Sequence, residues 1–145
     1  MDDRVTVYQR ARELLLAHDM RGFADLWAED GTMEFPFAPP GWPRRLEGRE
    51  AVREYVRDYT DHIDLRAVVH ETVHRTADPG VLIVEFAVDA VAVPTGRPLR
   101  IDYVAVITVR DGEIASYRDY WNPLLLNDGL NDGLAFAAEG SRTDG

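Results

Sequence analysis

The feature that most restricts the fold is the punctuation of the chain's second half. Between residues 63 and 121, four strand-length segments follow one another: IDLRAVVHETVHR, VLIVEFAVDAVAV, PLRIDYVAVITV and IASYRDYW. They are separated by ADPG, PTGR and RDGE. Each segment is rich in β-branched or aromatic residues, and the Asp-Gly and Pro-Thr-Gly breaks read as hairpin turns. Consecutive antiparallel strands of this length must bury at least one face, and the first half of the chain carries the helices to do it.

Residues 3–18 place Val7, Ala11, Leu14 and Leu15 at helical spacing behind an acidic start that suits the helix dipole. A second, short helix is expected around 20–30, with Phe23, Leu26 and Trp27 on one face and Asp30-Gly31 as its stop. TMEFPF (32–37) reads as a brief strand, and APPGWPRRLEG (38–48) as a loop because of its prolines and glycines. REAVREYVRDYTDH (49–62) returns to helix, with Ala51, Val52, Tyr55, Val56 and Tyr59 on one side. Helices first and a curved antiparallel sheet afterwards is an α+β pattern, and a sheet wrapped around helices leaves a conical cavity. Any polar side chain pointing into such a cavity needs a reason to be there.

A chain of 145 residues is enough for one domain with a proper core, expected here over 1–138, with a disordered tail at 139–145. The tandem NDGL copies at 127–134 are too few for a repeat fold and read as a turn-rich extension over the pocket mouth. No apolar run approaches a membrane span, and the acidic start is unlike a secretory signal, so a cytoplasmic protein is expected. A net charge of −10 with scattered arginines argues against nucleic acid and anionic lipid as partners. The chain has no cysteine, and all 16 of its Lys-plus-Arg residues are arginine. Thiolate and Schiff-base chemistry are thereby excluded, as are Cys-based metal sites and a phosphate-binding lysine. Ser116 and Ser141, the only serines, lie in no nucleophile elbow. Chemistry is left to carboxylates, four histidines, tyrosines or a bound cofactor.

HETVH (70–74) matches the zinc-protease signature formally, yet its neighbours are β-branched. On a strand His70 and His74 share a face but stand about 13 Å apart, too far for one zinc ion. No metal is expected, and His70 is read as a strand histidine that lines the cavity. Strand alternation puts Tyr117, Asp119 and Trp121 on one face of YRDYWN (117–122), opposite Arg118 and Tyr120, with Asn122 and Pro123 ending the strand. On the preceding strand Asp102 shares a face with Arg100, Val104 and Val106. If the two aspartate faces are concave, Asp102 and Asp119 enter an apolar cone, where desolvation raises their pKa into the range a proton-transfer group needs. The alternative is a pair of surface aspartates bonded to arginines. Asp89, sharing a face with Glu85 and Ala87, is a third candidate whose direction a single bulge would reverse. Both faces of the sheet are largely apolar, so the second is expected to meet another copy of the chain, giving a homodimer through the sheet.

Three segments, HDMRGFADLWAEDGT (18–32), LEGREAVREY (46–55) and DGEIASYRDYWNP (111–123), together with the order of elements, resemble the NTF2-like superfamily, specifically its SnoaL-like polyketide-cyclase branch. Ketosteroid isomerase and limonene-epoxide hydrolase are enzyme relatives. The resemblance covers roughly residues 4–125 and implies a cone-shaped α+β barrel, commonly homodimeric, with a hydrophobic pocket and no required metal or organic cofactor. By the same resemblance, the general base of ketosteroid isomerase falls at Phe35, its tyrosine donor at Ala11, one turn after Tyr8, and its protonated aspartate at Asp102. PTGR (94–97) and YRDYW (117–121) resemble pieces of the epoxide hydrolase, one of whose catalytic carboxylates matches Asp119. Its partner carboxylate matches Asp89 only with a one-residue shift, the accompanying arginine is absent, and its water-positioning residues fall near Glu34 and Pro36. The resemblance therefore points to a cofactor-independent isomerase or cyclase acting on a polyketide-like or terpenoid-like molecule. An epoxide hydrolase and a non-catalytic ligand-binding module are the alternatives. The expected pocket residues are Tyr8, Trp27, Phe35, Trp42, Tyr55, Tyr59, His70, Trp121 and Asn122, around Asp119, Asp102 and Asp89.

Overall fold

The computed structural model describes residues 2–128. Helix α1 (Asp3–Leu16) starts at Asp2, whose carboxylate accepts the Arg4 backbone N–H at 3.1 Å. Arg4 is nearly buried, and its guanidinium donates to the carbonyls of Thr76, Asp78 and Val81 at 3.3, 2.9 and 3.0 Å. One side chain thus ties the helix start to the first hairpin turn. Helix α2 (Met20–Ala24) is capped by Asp19, which accepts from the Gly22 N–H at 2.8 Å. Strand β1 (Trp27–Glu34), strand β2 (Arg45–Glu47) and helix α3 (Arg49–Val56) follow, then a 3₁₀ turn (Tyr59–Asp61). The long strands are β3 (Ile63–Arg75), β4 (Val81–Ala92), β5 (Arg97–Arg110) and β6 (Glu113–Trp121), ending in a 3₁₀ segment (Pro123–Asp128).

The six strands form one mixed sheet in the order β2-β1-β6-β5-β4-β3, antiparallel except for the parallel β1/β6 pair. β2 and β3 are its free edges, so the sheet curves around the helices without closing into a barrel. The β5–β6 turn has positive φ at both Asp111 (54°) and Gly112 (76°), as a two-residue hairpin requires. On β4, Leu82, Val84, Phe86, Val88, Ala90 and Ala92 are buried at alternate positions, and Ala87 is the one buried residue between them. On β3 the ladder slips between Leu65 and Ala67 and again between Val68 and His70. The two bulges cancel, so Glu71 and Val73 stay on the inner side with Ile63 and Leu65, opposite Phe86, Val84, Ala92 and Ala90. A third bulge, between Thr108 and Val109, lets Ile114 and Tyr117 both face inward.

Two local expectations are corrected. The stretch expected to continue the second helix becomes extended at Trp27, which pairs with Ile114 on β6, and the helix ends at Ala24. A Cβ on Gly31 would lie 2.6 Å from the Ile114 carbonyl oxygen, so the close approach of β1 to β6 requires glycine there. The proline-rich loop also contains a short strand, β2, which pairs with β1 through Met33 and Leu46. The NDGL repeat's continuation beyond 128 and the tail at 139–145 lie outside the described residues.

Candidate active site

The interior of the cone holds a cavity of about 120 Å³. α1 contributes Tyr8, Ala11 and Arg12; α3 and the turn after it bring Tyr55, Val56 and Tyr59. Phe86 and Val88 come from β4, Ile101 and Tyr103 from β5, and Tyr117, Asp119 and Trp121 from β6. Phe35 and Trp42, from the segment between β1 and β2, close one end: Phe35 packs on Tyr55 at 5.3 Å between ring centroids and Trp42 on Trp121 at 5.7 Å. Apolar walls with few polar groups are what a small-molecule site looks like. Among the described residues, only Arg12 and Asp119 bring a formal charge to the lining.

Those two groups live in opposite circumstances. Arg12 donates from one nitrogen to both oxygens of Glu71, at 2.8 and 2.7 Å, and Tyr8 Oη donates to Glu71 Oε2 at 2.7 Å. Burial works against the charged form of Glu71, but the bonds from Tyr8 and Arg12 outweigh it and hold the carboxyl below its usual range. The Tyr8 proton is therefore committed to Glu71, and its oxygen offers the cavity lone pairs rather than a donor. Asp119 has no such support. Its Oδ1 is buried with no hydrogen-bond partner among the described residues, and desolvation pushes its pKa up to about 7. The accessible surface Asp119 retains is consistent with its position bordering the cavity.

Phenols surround this carboxyl. Tyr59 and Tyr103 hydrogen-bond to each other, and burial together with the nearby Asp119 charge pushes the Tyr59 hydroxyl up to about 12. Burial first, and the Asp119 charge with it, keep Tyr55, Tyr103 and Tyr117 firmly protonated as well. The arrangement offers a group that exchanges protons near neutrality, framed by hydroxyls that do not ionise.

Seven of the expected site residues line this cavity: Tyr8, Phe35, Trp42, Tyr55, Tyr59, Asp119 and Trp121. Five do not. Trp27 is fully buried behind the wall, packed on Phe23 and Tyr117, with its indole N–H donating to the Thr32 carbonyl at 3.0 Å. Asp102 pairs across the ladder with Ala87 while Asp119 pairs with Ala105. Because directly opposed residues share a face, the two aspartates point to opposite sides of the sheet. Asp89 also faces outward and meets Arg100 at 3.2 Å. His70, which pairs with Ala87 on the outer side of β3, and Asn122, whose side chain accepts the Leu124 N–H at 3.0 Å, border an open recess on the outer face with Asp102. His74 is outward too, 2.6 Å from Glu85 Oε2. Sequence reasoning missed Tyr103, Tyr117 and Glu71 as site residues. Plain alternation puts Tyr117 beside Asp119, the register that faces Asp119 inward takes Tyr103 with it, and Glu71 shares the face of Ile63 and Leu65 by the same alternation, since the two β3 bulges cancel.

Comparison with known proteins gives consistent results. The SnoaL-like domain family matches residues 8–117. YesE of Bacillus subtilis, an uncharacterized protein, is 44% identical over 114 residues, 79% of this chain and 78% of its own length. An uncharacterized PhzA/B-like protein of Pseudomonas aeruginosa is 45% identical over 111 residues, 77% of this chain and 78% of its own. A Bacillus subtilis crystal structure carrying the provisional name of isomerase superposes with a TM-score of 0.85 at 38% identity, covering 90% of this chain and 94% of that one. The Δ5-3-ketosteroid isomerase of a Mycobacterium species shares the fold, with a TM-score of 0.71 at 21% identity over 84% of this chain and 95% of that one.

Proposed function

Because the chain belongs to the SnoaL-like family of the NTF2-like superfamily, we propose that it is a cofactor-independent isomerase or cyclase that moves protons on a small hydrophobic carbonyl compound of polyketide-like or terpenoid-like character. The observation that carries this reading is Asp119: a carboxyl with an unpartnered Oδ1, facing an aromatic cavity, with a pKa of about 7. Such a group is present in both protonation states at neutral pH, which suits general acid or base work. As carboxylate it takes the proton from the carbon next to a carbonyl and leaves an enolate. As acid it returns that proton to the far carbon of a conjugated dienolate, which isomerises the substrate, or to the alkoxide formed when the enolate carbon adds to a second carbonyl of the same molecule and closes a ring. The aromatic walls hold the reacting conformer. The provisional name of the 38% identical structure agrees with this class of reaction.

An epoxide hydrolase of the two-carboxylate kind is not supported, since Asp89 faces away from the cavity in an ion pair with Arg100. A cytoplasmic homodimer joined through the outer face of the sheet belongs to the same proposal. In its favour are the apolar side chains exposed around that face, Phe37, Val104 and Leu124 among them. Among the described residues no helix is long and apolar enough to cross a membrane.

The test needs no knowledge of the substrate. Small cyclic ketones are incubated with the protein in heavy water, and deuterium incorporation next to the carbonyl is followed by NMR. Catalysed exchange is expected with the wild type and should fall by about 10²–10⁴-fold in Asp119→Asn, the range that general acid–base groups supply. Binding of the ketones without exchange would turn the assignment toward a ligand-binding module.

A further inference from the structure

The surroundings of Asp119 also bear on what else the cavity accepts. When its carboxyl ionises, the charge is uncompensated. Arg12, the sole cationic lining group among the described residues, is already held by Glu71. The groups that face the carboxyl are neutral phenols: Tyr55 from α3, Tyr59 from the turn after it, Tyr103 from β5 and Tyr117 from β6, with Tyr8 of α1 beyond Tyr117. The carboxyl's Oδ1 is buried and has no hydrogen-bond partner among the described residues. The rest of the wall is aromatic, with Phe35, Trp42, Phe86 and Trp121 prominent. Ring faces attract cations, more strongly when the cation is desolvated.

We propose that the cavity binds a compact organic cation, such as a protonated cyclic amine, whose ammonium N–H is donated to the Asp119 carboxylate while its carbon skeleton lies against the aromatic walls. A six-membered ring is a fitting probe, since about 120 Å³ is of the order of the roughly 150 Å³ of a cavity that takes up benzene. The charge preference follows from the missing counter-ion. An ammonium pairs with the carboxylate and supplies its absent donor, whereas a neutral ether offers neither. This inference goes beyond the catalytic reading and shares with it only the premise that small molecules enter the cavity and meet Asp119.

The two ligand classes respond to pH in opposite directions. A cation needs the ionised carboxyl, so its binding tightens as pH rises through the Asp119 pKa of about 7. A ketone accepting a hydrogen bond from the acid form weakens over the same interval. The probes are piperidine, its neutral isostere tetrahydropyran, and cyclohexanone, titrated into the full-length protein and followed by NMR shifts of the cavity residues at pH 6, 7 and 8. Piperidinium is expected to bind at least tenfold more tightly than tetrahydropyran at pH 8. Its affinity should increase about tenfold from pH 6 to pH 8, following ionisation of a group titrating near 7. In Asp119→Asn the preference over tetrahydropyran should vanish while tetrahydropyran binding remains, which also shows that the variant is folded. Equal or weaker binding of piperidinium than of tetrahydropyran at pH 8 would overturn the inference, as would affinity that is flat or falling with pH. If cyclohexanone binds and piperidinium does not, only this inference fails. If no probe shifts the cavity signals, the catalytic reading falls with it.

Discussion

A carboxyl that keeps its proton to about pH 7 makes stability depend on pH in a particular way. Between the ordinary aspartate value of 3.8 and about 7, the native protein holds a proton that the unfolded chain has lost, so stability falls as pH rises through that window and levels off above it. The full effect of such a shift is about 2–4 kcal/mol. Asp119→Asn removes the burden while keeping the shape. The variant should melt higher than wild type at pH 8, with a clearly smaller gain at pH 5; an equal gain at both would mean that Asp119 titrates like an exposed carboxyl. The direction of Asp119 was legible in the sequence, since alternation in YRDYW put it with Tyr117 and Trp121, and all three line the cavity. Asp102 was misjudged because alternation on one strand cannot say which face is concave. That choice depends on how the two strands pair, and the register opposing Ala105 to Asp119 decided it.

Single glycines and bulges decide which side chains the elements present. Gly31 lets β1 run parallel to β6, and an added methyl would meet the Ile114 carbonyl oxygen at 2.6 Å and Trp27 Cδ1 at 2.9 Å. Both neighbours are fixed, one by the backbone and the other by a fully buried ring. Gly31→Ala should therefore lower stability by about 1–3 kcal/mol, as overpacking typically does. Denaturant unfolding measures this, and a change within about 0.5 kcal/mol would mean that the β1/β6 contact relaxes freely. The four long strands, the first helix and their turns were legible because period and turn chemistry agree along them. The second helix was read too long because Phe23, Leu26 and Trp27 suit a helical face. Tertiary pairing of Trp27 with Ile114 overrides that local preference, while the Phe23–Trp27 contact survives at 5.0 Å with the rings edge to face. His70 was misplaced although alternation from Ile63 and Leu65 puts it on the outer side, where it pairs with Ala87.

The whole molecule has two surfaces with different tasks. The inner face of the sheet, closed by the helices, makes the cavity around Asp119. The outer face carries a broad recess of about 790 Å³ bordered by Phe37, His70, Asp102, Val104, Tyr120 and Leu124. If this face joins two copies of the chain, as proposed, Val104→Lys puts a charge in the interface and should halve the mass seen by sedimentation while leaving the fold intact. A wild type that sediments as a monomer at working concentrations would contradict that part of the proposal. The family resemblance carried the cone and the pocket. It also matched Asp102, Asp119 and, with a shift, Asp89 to carboxylates of its enzyme relatives, and of these three geometry puts only Asp119 inside. The proposed proton chemistry depends on the protonation of that one group, and a carbon-detected NMR titration of the Asp119 carboxyl, assigned with Asp119→Asn, tests it most directly. A midpoint close to 7 is the predicted result. A midpoint near the ~3.9 of a free aspartate would mean a solvated carboxylate and would contradict the proposed proton chemistry.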